Sequence, residues 1–345
     1  MTVVINQSLY PAQGFEHRFY HGNRYHCISA KVTLDWDEQG RLSSPRRQPD
    51  WVRNDEWLDE ADRSSLIYPS EMIPFKPATD VLVVGTALSP EGRPLREWNA
   101  ALCIKDQTKR LRLFGPREWR HSAMGGWRLS GPEACSGVAL LYENAYGGTV
   151  GPAREHYAEG DYYPPNPFGS GYVGKQRPDT NAPLRAAQIE AWDGPITHFG
   201  QDVAVGGFGA LPGFVPARAQ YAGTTDADWE ASVKPNIPPD MDMRYWNTAP
   251  ADQQASEYLR PGDVIGLVNL RPGAPLRLAM PPIDPATLCE YDEDNRRAAA
   301  MNLDTVTIDL DAQRMTLRYH QILPFDESIK RINVHCAPYA ALAGS

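Results

Sequence analysis

The sequence predicts a mainly β protein, an antiparallel β-sandwich-like architecture with long Pro/Gly/aromatic-rich loops and few short helices. Three observations carry that expectation. Thirty-one prolines and 28 glycines interrupt the 345 residues and leave little room for long periodic helices. Residues 25–35 alternate, with Cys27, Ser29, Lys31 and Thr33 on one face and Ile28, Ala30, Val32 and Leu34 on the other, which is the period-two pattern of a strand. Short apolar runs rich in β-branched residues then recur between turn-forming residues near both ends of the chain.

Taken in order, the first strand is followed by a turn at 37–40 that reverses the chain into Arg41 and Leu42. TDVLVVGTAL, residues 79–88, is continuous and β-branched, fitting a strand covered on both faces. Residues 100–104, a polar turn at 106–108 and residues 110–114 form a hairpin, and 138–142 is another buried strand. Between 151 and 259 proline, glycine and aromatic residues dominate, as in YYPPNPFGSGY (162–172) and VGGFGALPGFVP (205–216). Only short helical turns are expected there, near 227–233 and 250–255. Such a span reads as functional loops on a scaffold. Strands return at 263–270, 276–280, 304–310, 314–320 and 331–336. VTIDLD (306–311) echoes VTLDWD (32–37), and reads as two independent hairpins with Asp-rich turns. The organisation expected is a β-rich region over 1–150, a loop segment over 151–259, and a β-rich region over 260–345 packed with the first as one unit.

A net charge of −9 and the lack of a basic stripe argue against nucleic acid as a partner. Cys27, Cys103, Cys135, Cys289 and Cys336 are odd in number and scattered, which fits buried thiols in a reducing compartment. The opening MTVVINQSLYPAQG has no basic region followed by an apolar run and cleavage site, so no secretory signal is expected. No stretch approaches the ~18 apolar residues of a membrane helix. A soluble, cytoplasmic protein is expected.

Several chemistry-bearing patterns fail on context. GSGYVG (169–174) matches GxGxxG, but Pro164, Pro165 and Pro167 precede it and Pro178 and Pro183 follow, so the strand and helix of a dinucleotide site are missing. His17, His21 and His26 lack the carboxylate of an HExxH pattern, and no metal or other cofactor is expected. Asp35, Asp37 and Gly40 start like a calcium loop, yet its twelfth position is Arg46. There is no GxSxG elbow. The acidic run Glu290, Asp292, Glu293, Asp294 reads as a solvated loop.

LLYENAYGGT, residues 140–149, is the most informative segment. It sets Tyr142, Glu143 and Tyr146 at a strand end before Gly147-Gly148, which permits backbone angles closed to other residues. A carbohydrate-active or other hydrolytic protein would pair Glu143 with Glu155 or Asp161, with Trp192, Trp229 and Trp246 as sugar platforms. No matched nucleophile and base accompany them, so no catalytic residues are assigned. Loops rich in Tyr, Trp and Arg better fit partner binding. The candidate contact set is Tyr142, Glu143 and Tyr146 at the corner, with Tyr245, Trp246 and Asn247 from RYWN.

SSLIYPSEMIPFKPATDVLVVGTA (64–87), KRLRLFGPREW (109–119), LLYENAYGGT, NPFGSGY (166–172) and VGGFGALPGFVPAR (205–218) follow one another in this chain. YAGTTDADW (221–229), PPDMDMRYWNTAPADQQ (238–254) and LDTVTIDLDAQRMTLRY (303–319) continue the series. In that order they resemble a bacterial domain-of-unknown-function family encoded beside type VI secretion and PAAR-like genes. The resemblance covers roughly residues 1–325 and leaves the last twenty unassigned. It implies a non-enzymatic adaptor or chaperone that binds a PAAR-like-domain effector and assists its loading onto the VgrG spike.

Overall fold

The computed structural model describes residues 3–19, 22–122, 125–150, 161–174, 182–291 and 295–337. Two large sheets face one another across an apolar core, giving the mainly β, sandwich-like architecture that the alternation predicts. The first sheet takes its strands from both ends of the chain, in the order Ala12–Arg18, Arg24–Trp36, Arg314–Pro324, Asn302–Asp309, Asp80–Val84, with the short Leu42–Ser43 strand beside the end of the second. Arg24–Trp36 and Arg314–Pro324 run antiparallel over eleven register pairs, from Asp35↔Arg314 to Tyr25↔Pro324. The second sheet is antiparallel throughout, in the order Ile189–Ala191, Gln107–Phe114, Glu97–Ile104, Val264–Val268, Leu276–Ala279. A third, four-stranded sheet joins Val3–Asn6, Arg331–His335, Ala286–Glu290 and Arg296–Ala300. Two pairings within these sheets are parallel, Val3–Asn6 with Arg331–His335 and Asp80–Val84 with Asn302–Asp309.

Period-two patterning builds the core. Ile28, Ala30, Val32 and Leu34 share one buried cluster with Val306, Ile308, Met315 and Leu317 on the first sheet. Trp98, Ala100, Leu102, Ile104, Leu111, Leu113, Ile265 and Leu267 from the second sheet complete it. Burying a side chain of this size contributes roughly 1.5–3 kcal/mol, so this double layer dominates the stability. The opposite face of the first sheet is polar but also covered. Ser29, Lys31, Thr33, Asp304, Arg318 and His320 lie there, all nearly inaccessible to solvent, because the segment between Leu42–Ser43 and Asp80–Val84 folds over them. Gln48 substitutes for a strand at this edge: its side-chain amide accepts from Thr33 N at 2.8 Å and donates to Thr33 O at 2.9 Å.

Two strands are shorter than expected. Residues 79–88 do not form one strand. Asp80–Val84 lies in the first sheet, buried throughout, whereas Thr86–Leu88 pairs with Gly137–Ala139. The break is at Gly85, whose φ of +96° and contact with Asp311 at 3.0 Å from any added Cβ leave room for glycine only. Likewise 138–142 ends at Ala139 and turns into a 3₁₀ turn over Tyr142–Asn144. The hairpin is longer than expected, Glu97–Ile104 against Gln107–Phe114. Ala286–Glu290 and Arg296–Ala300 are strands that the sequence pattern does not announce, since ATLCE is short and RRAAA has no apolar alternation. Among the described residues of the middle segment α-helix is confined to Pro216–Ala219 and Ala227–Ser232, the latter capped by Asp226 accepting from Trp229 N, with 3₁₀ turns at Met243–Trp246 and Ala251–Gln253. No helix among the described residues is long and apolar enough to cross a membrane.

Candidate partner-binding site

The corner after Ala139 is built by internal hydrogen bonds. Both Glu143 oxygens accept from Ser65, one from its N–H at 2.7 Å and the other from its hydroxyl at 2.5 Å. Ser65 Oγ in turn accepts from Tyr142 N at 2.8 Å. Tyr142 is buried and donates through its hydroxyl to Gly209 O at 3.1 Å; burial pushes its phenol well above the ordinary range. Tyr146 is also buried and donates to Asp202 at 3.1 Å. Burial first, and the neighbouring Asp202 second, raise its phenol in the same direction. Asn166 ties the turn together by donating to Tyr142 O and Tyr146 O at 2.8 and 3.0 Å. Gly147 is required here: its φ is +148°, and an added Cβ would lie 2.1 Å from Asn166 O.

RYWN is held from behind by a second carboxylate. Asp80 is completely buried at the start of its strand. It accepts from Asn247 Nδ2 at 2.7 Å, Lys76 Nζ at 2.7 Å, Thr248 N at 2.6 Å and Ala249 N at 3.2 Å. Asn247 also donates to Ala78 O at 3.1 Å and is itself 1% exposed. Arg218 fixes the backbone two residues back, donating to Tyr245 O at 2.9 Å with its guanidinium 5.0 Å from the Tyr245 ring centre. Tyr245 and Trp246 are half-buried and pack edge to face, their ring centres 5.9 Å apart.

The two groups picked from the sequence meet on one connecting segment. Gly209 receives the Tyr142 hydroxyl, and Leu211 N donates to Thr248 O at 2.7 Å. The same segment closes the open edge of the first sheet, where Val83 N donates to Phe208 O at 3.1 Å and Gln253 Nε2 donates to both Val81 O and Phe208 O. Tyr142, Tyr146 and Asn247 are therefore buried, and a ring or amide held inside such a turn is a support. Of the six, Tyr245, Trp246 and Glu143 remain partly accessible, the last where Ser65 leaves its carboxylate half-buried. Phe214, 39% exposed and edge to face with Phe168 at 6.1 Å, is one of the loop aromatics that the sequence offers for binding, outside the six-residue contact set. Its signal was the run GFVP, an aromatic residue in a Pro/Gly-rich loop with no strand pattern to bury it.

The groups of the hydrolytic alternative are held as follows. Glu155 lies outside the described residues, and Asp161 accepts from the Tyr172 hydroxyl at 2.7 Å. The three tryptophans sit on separate supports: Trp192 beside Arg112, Trp229 donating to Asn236 O, and Trp246 on Tyr245. GSGYVG runs through a two-residue strand, Ser170–Gly171, parallel to Tyr146–Gly147, and Pro178 lies outside the described residues. His17 and His26 lie on adjacent strands, with His26 against Phe325 at 4.9 Å; His21 is outside the described residues. Among the described residues no three His, Cys, Asp or Glu side chains converge as a metal site. Of the acidic run only Glu290 is described, paired in register with Arg296.

Fold and site together define a β-sandwich scaffold whose middle segment is a set of internally braced aromatic loops. Residues 21–320 match a family described as an uncharacterized protein conserved in bacteria, DUF2169, and the chain belongs to that family. No curated protein and no solved structure matches it.

Proposed function

We propose that this chain is a non-enzymatic adaptor of a type VI secretion system, which binds a PAAR-like-domain effector in the cytoplasm and assists its loading onto the VgrG spike. The resemblance of its ordered motifs to that family supports the reading. The observation that carries it is the mounting of Tyr245 and Trp246. Both rings are partly accessible, and the backbone beneath them is locked by Asp80 and Arg218. Rings fixed before docking lose little entropy when a folded cargo covers them, which is where interface energy concentrates. An acidic carrier with a net charge of −9 also favours encounter with a basic effector.

Co-expression with the product of the adjacent gene tests this. The wild-type chain is expected to co-purify with a PAAR-like effector, and Trp246→Ala to weaken capture roughly tenfold or more while the variant unfolds at nearly the same temperature. Turnover of a substrate by the isolated chain, abolished by Glu143→Gln, would overturn the reading. So would full capture by the doubly substituted Tyr245→Ala, Trp246→Ala chain.

A further inference from the structure

A cleft of about 290 Å³ opens on the polar face of the first sheet. Its floor is a row of threonines, Thr305 and Thr307 from one strand and Thr316 from the next, and its side wall is Tyr68. The segment above it is pinned down rather than draped. Lys31 Nζ donates to Asp50 O and to Glu71 at 2.8 Å, and Glu71 accepts from Val52 N at 2.7 Å. The space is at the lower end of small-ligand pockets, which is room for one long side chain and too little for a nucleotide-sized cofactor.

The charge accounting around this cleft is one-sided. Each of its four cations already has its own carboxylate: Lys31 with Glu71, Lys76 with Asp80, Arg314 with Asp35 and Arg318 with Asp304, at 2.8, 2.7, 2.9 and 2.6 Å. Two lining carboxylates, Glu56 and Asp309, form no ion pair among the described residues; Arg314 stands opposite Asp309 in the strand register but spends its guanidinium on Asp35. Asp309 accepts from the Tyr68 hydroxyl at 2.7 Å and from the N–H groups of Asp311 and Ala312, which satisfies its lone pairs and leaves its charge. Glu56 is the cross-strand register partner of Tyr68 and Asp309 accepts from its hydroxyl, so both carboxylates lie close to that ring; burial, then the Asp309 hydrogen bond and charge, then Glu56, push the Tyr68 phenol above its ordinary range. Val52, Pro69 and Ile73 supply apolar wall. Outside, the covering segment exposes Asp55, Asp59, Glu60 and Asp62 together with Arg46, Arg47 and Arg53, and Glu60 pairs with Arg63.

We infer that this cleft receives a lysine or arginine side chain from a basic segment of a protein partner, its cation between Glu56 and Asp309 and its methylene stem on Val52, Pro69 and Ile73. The alkyl stem matches the apolar wall, the cation neutralises the two leftover charges, and the Tyr68 ring offers a face to it. The inference goes beyond the adaptor reading, because it concerns other residues and any basic protein segment satisfies it.

The probes are N-acetyl-lysine amide and N-acetyl-arginine amide, titrated against the full chain and followed by NMR. The norleucine and glutamate amides and spermidine serve as comparisons. Saturable shifts at Tyr68 are expected with a Kd near the millimolar range, weakened about threefold by Glu56→Gln, an exposed position whose change should leave folding intact. Thr307→Trp should fill the space and abolish the shifts. Absence of saturation, equal binding of the norleucine or glutamate amide, or an unchanged Kd in Glu56→Gln would each overturn the inference. Spermidine binding tenfold more tightly than either basic amide would reassign the cleft to a free polyamine and overturn the protein-segment source. Loss of effector capture with this binding intact would remove the adaptor reading alone.

Discussion

Asp80 and Glu143 both use a carboxylate to hold an aromatic loop, but they do so in opposite settings. Asp80 is sealed from solvent and takes donors from Lys76, Asn247, Thr248 and Ala249. Glu143 is half-buried and takes both its donors from one residue, Ser65. A sealed charge must be compensated completely, because an uncompensated one costs several kcal/mol, whereas a carboxylate that keeps contact with water tolerates a single partner. The RYWN loop therefore stands on a foundation that cannot be partly removed. The LLYENAYGGT corner stands on one that can be loosened. On the proposed function, the rigidity that docking requires resides behind Tyr245 and Trp246.

Substitutions can break or sharpen that contrast. Asp80→Ala strands the Lys76 ammonium and two backbone N–H groups in a sealed site, with an expected loss of about 3–5 kcal/mol in chemical denaturation. A loss near that of Glu143→Gln would erase the distinction. Gly147→Ala places a Cβ against Asn166 O at a positive φ, and is expected to cost about 1–3 kcal/mol for the backbone strain, with further loss from the clash. Asp304 extends the comparison to acid. Burial would raise its carboxyl, but Arg318, His320 and Lys76 outweigh that and hold it at about 2, below the ordinary 3.8. Its folded value being depressed, the stability it contributes is complete above about pH 4 and drains away as pH falls toward 2. Melting temperature measured across that window should fall less steeply in Asp304→Asn than in wild type. Equal slopes would show that Asp304 is not linked to acid unfolding. Glu143→Gln keeps one acceptor for Ser65 and is expected to cost only about 1 kcal/mol. Trp246→Ala should be mildest for stability, roughly 1 kcal/mol or less, while having the largest effect on effector capture.

Patterning made much of the fold legible. The strict alternation from Cys27 to Leu34 named the core face of the longest strand, and the continuous β-branched DVLVV named a strand covered on both sides. Where patterning thinned, reading failed. RRAAA has no apolar alternation, yet it forms an edge strand because Ala286–Glu290 offers it a ladder. Gly85 looked like one residue within a strand, and only the approach of Asp311 made it a break. In the candidate site, residue type alone could not separate ring from support. Tyr142 and Tyr245 read alike in sequence, but one faces Gly209 inside the protein and the other remains partly open. The cleft beside Tyr68 was hidden for a similar reason: Lys31 and Thr33 had been placed on a common face, with nothing to indicate that a distant segment roofs it.

Local chemistry therefore determined by itself the strand period, the turn positions and the lack of long helices, since these depend on neighbours a few residues away. Which charges are neutralised and which remain, which rings face water, and how residues 24–36 come to lie beside 314–324 were decided only in the folded chain. Those properties are sums over contacts between segments hundreds of residues apart, and burial and compensation exist only once such segments have met.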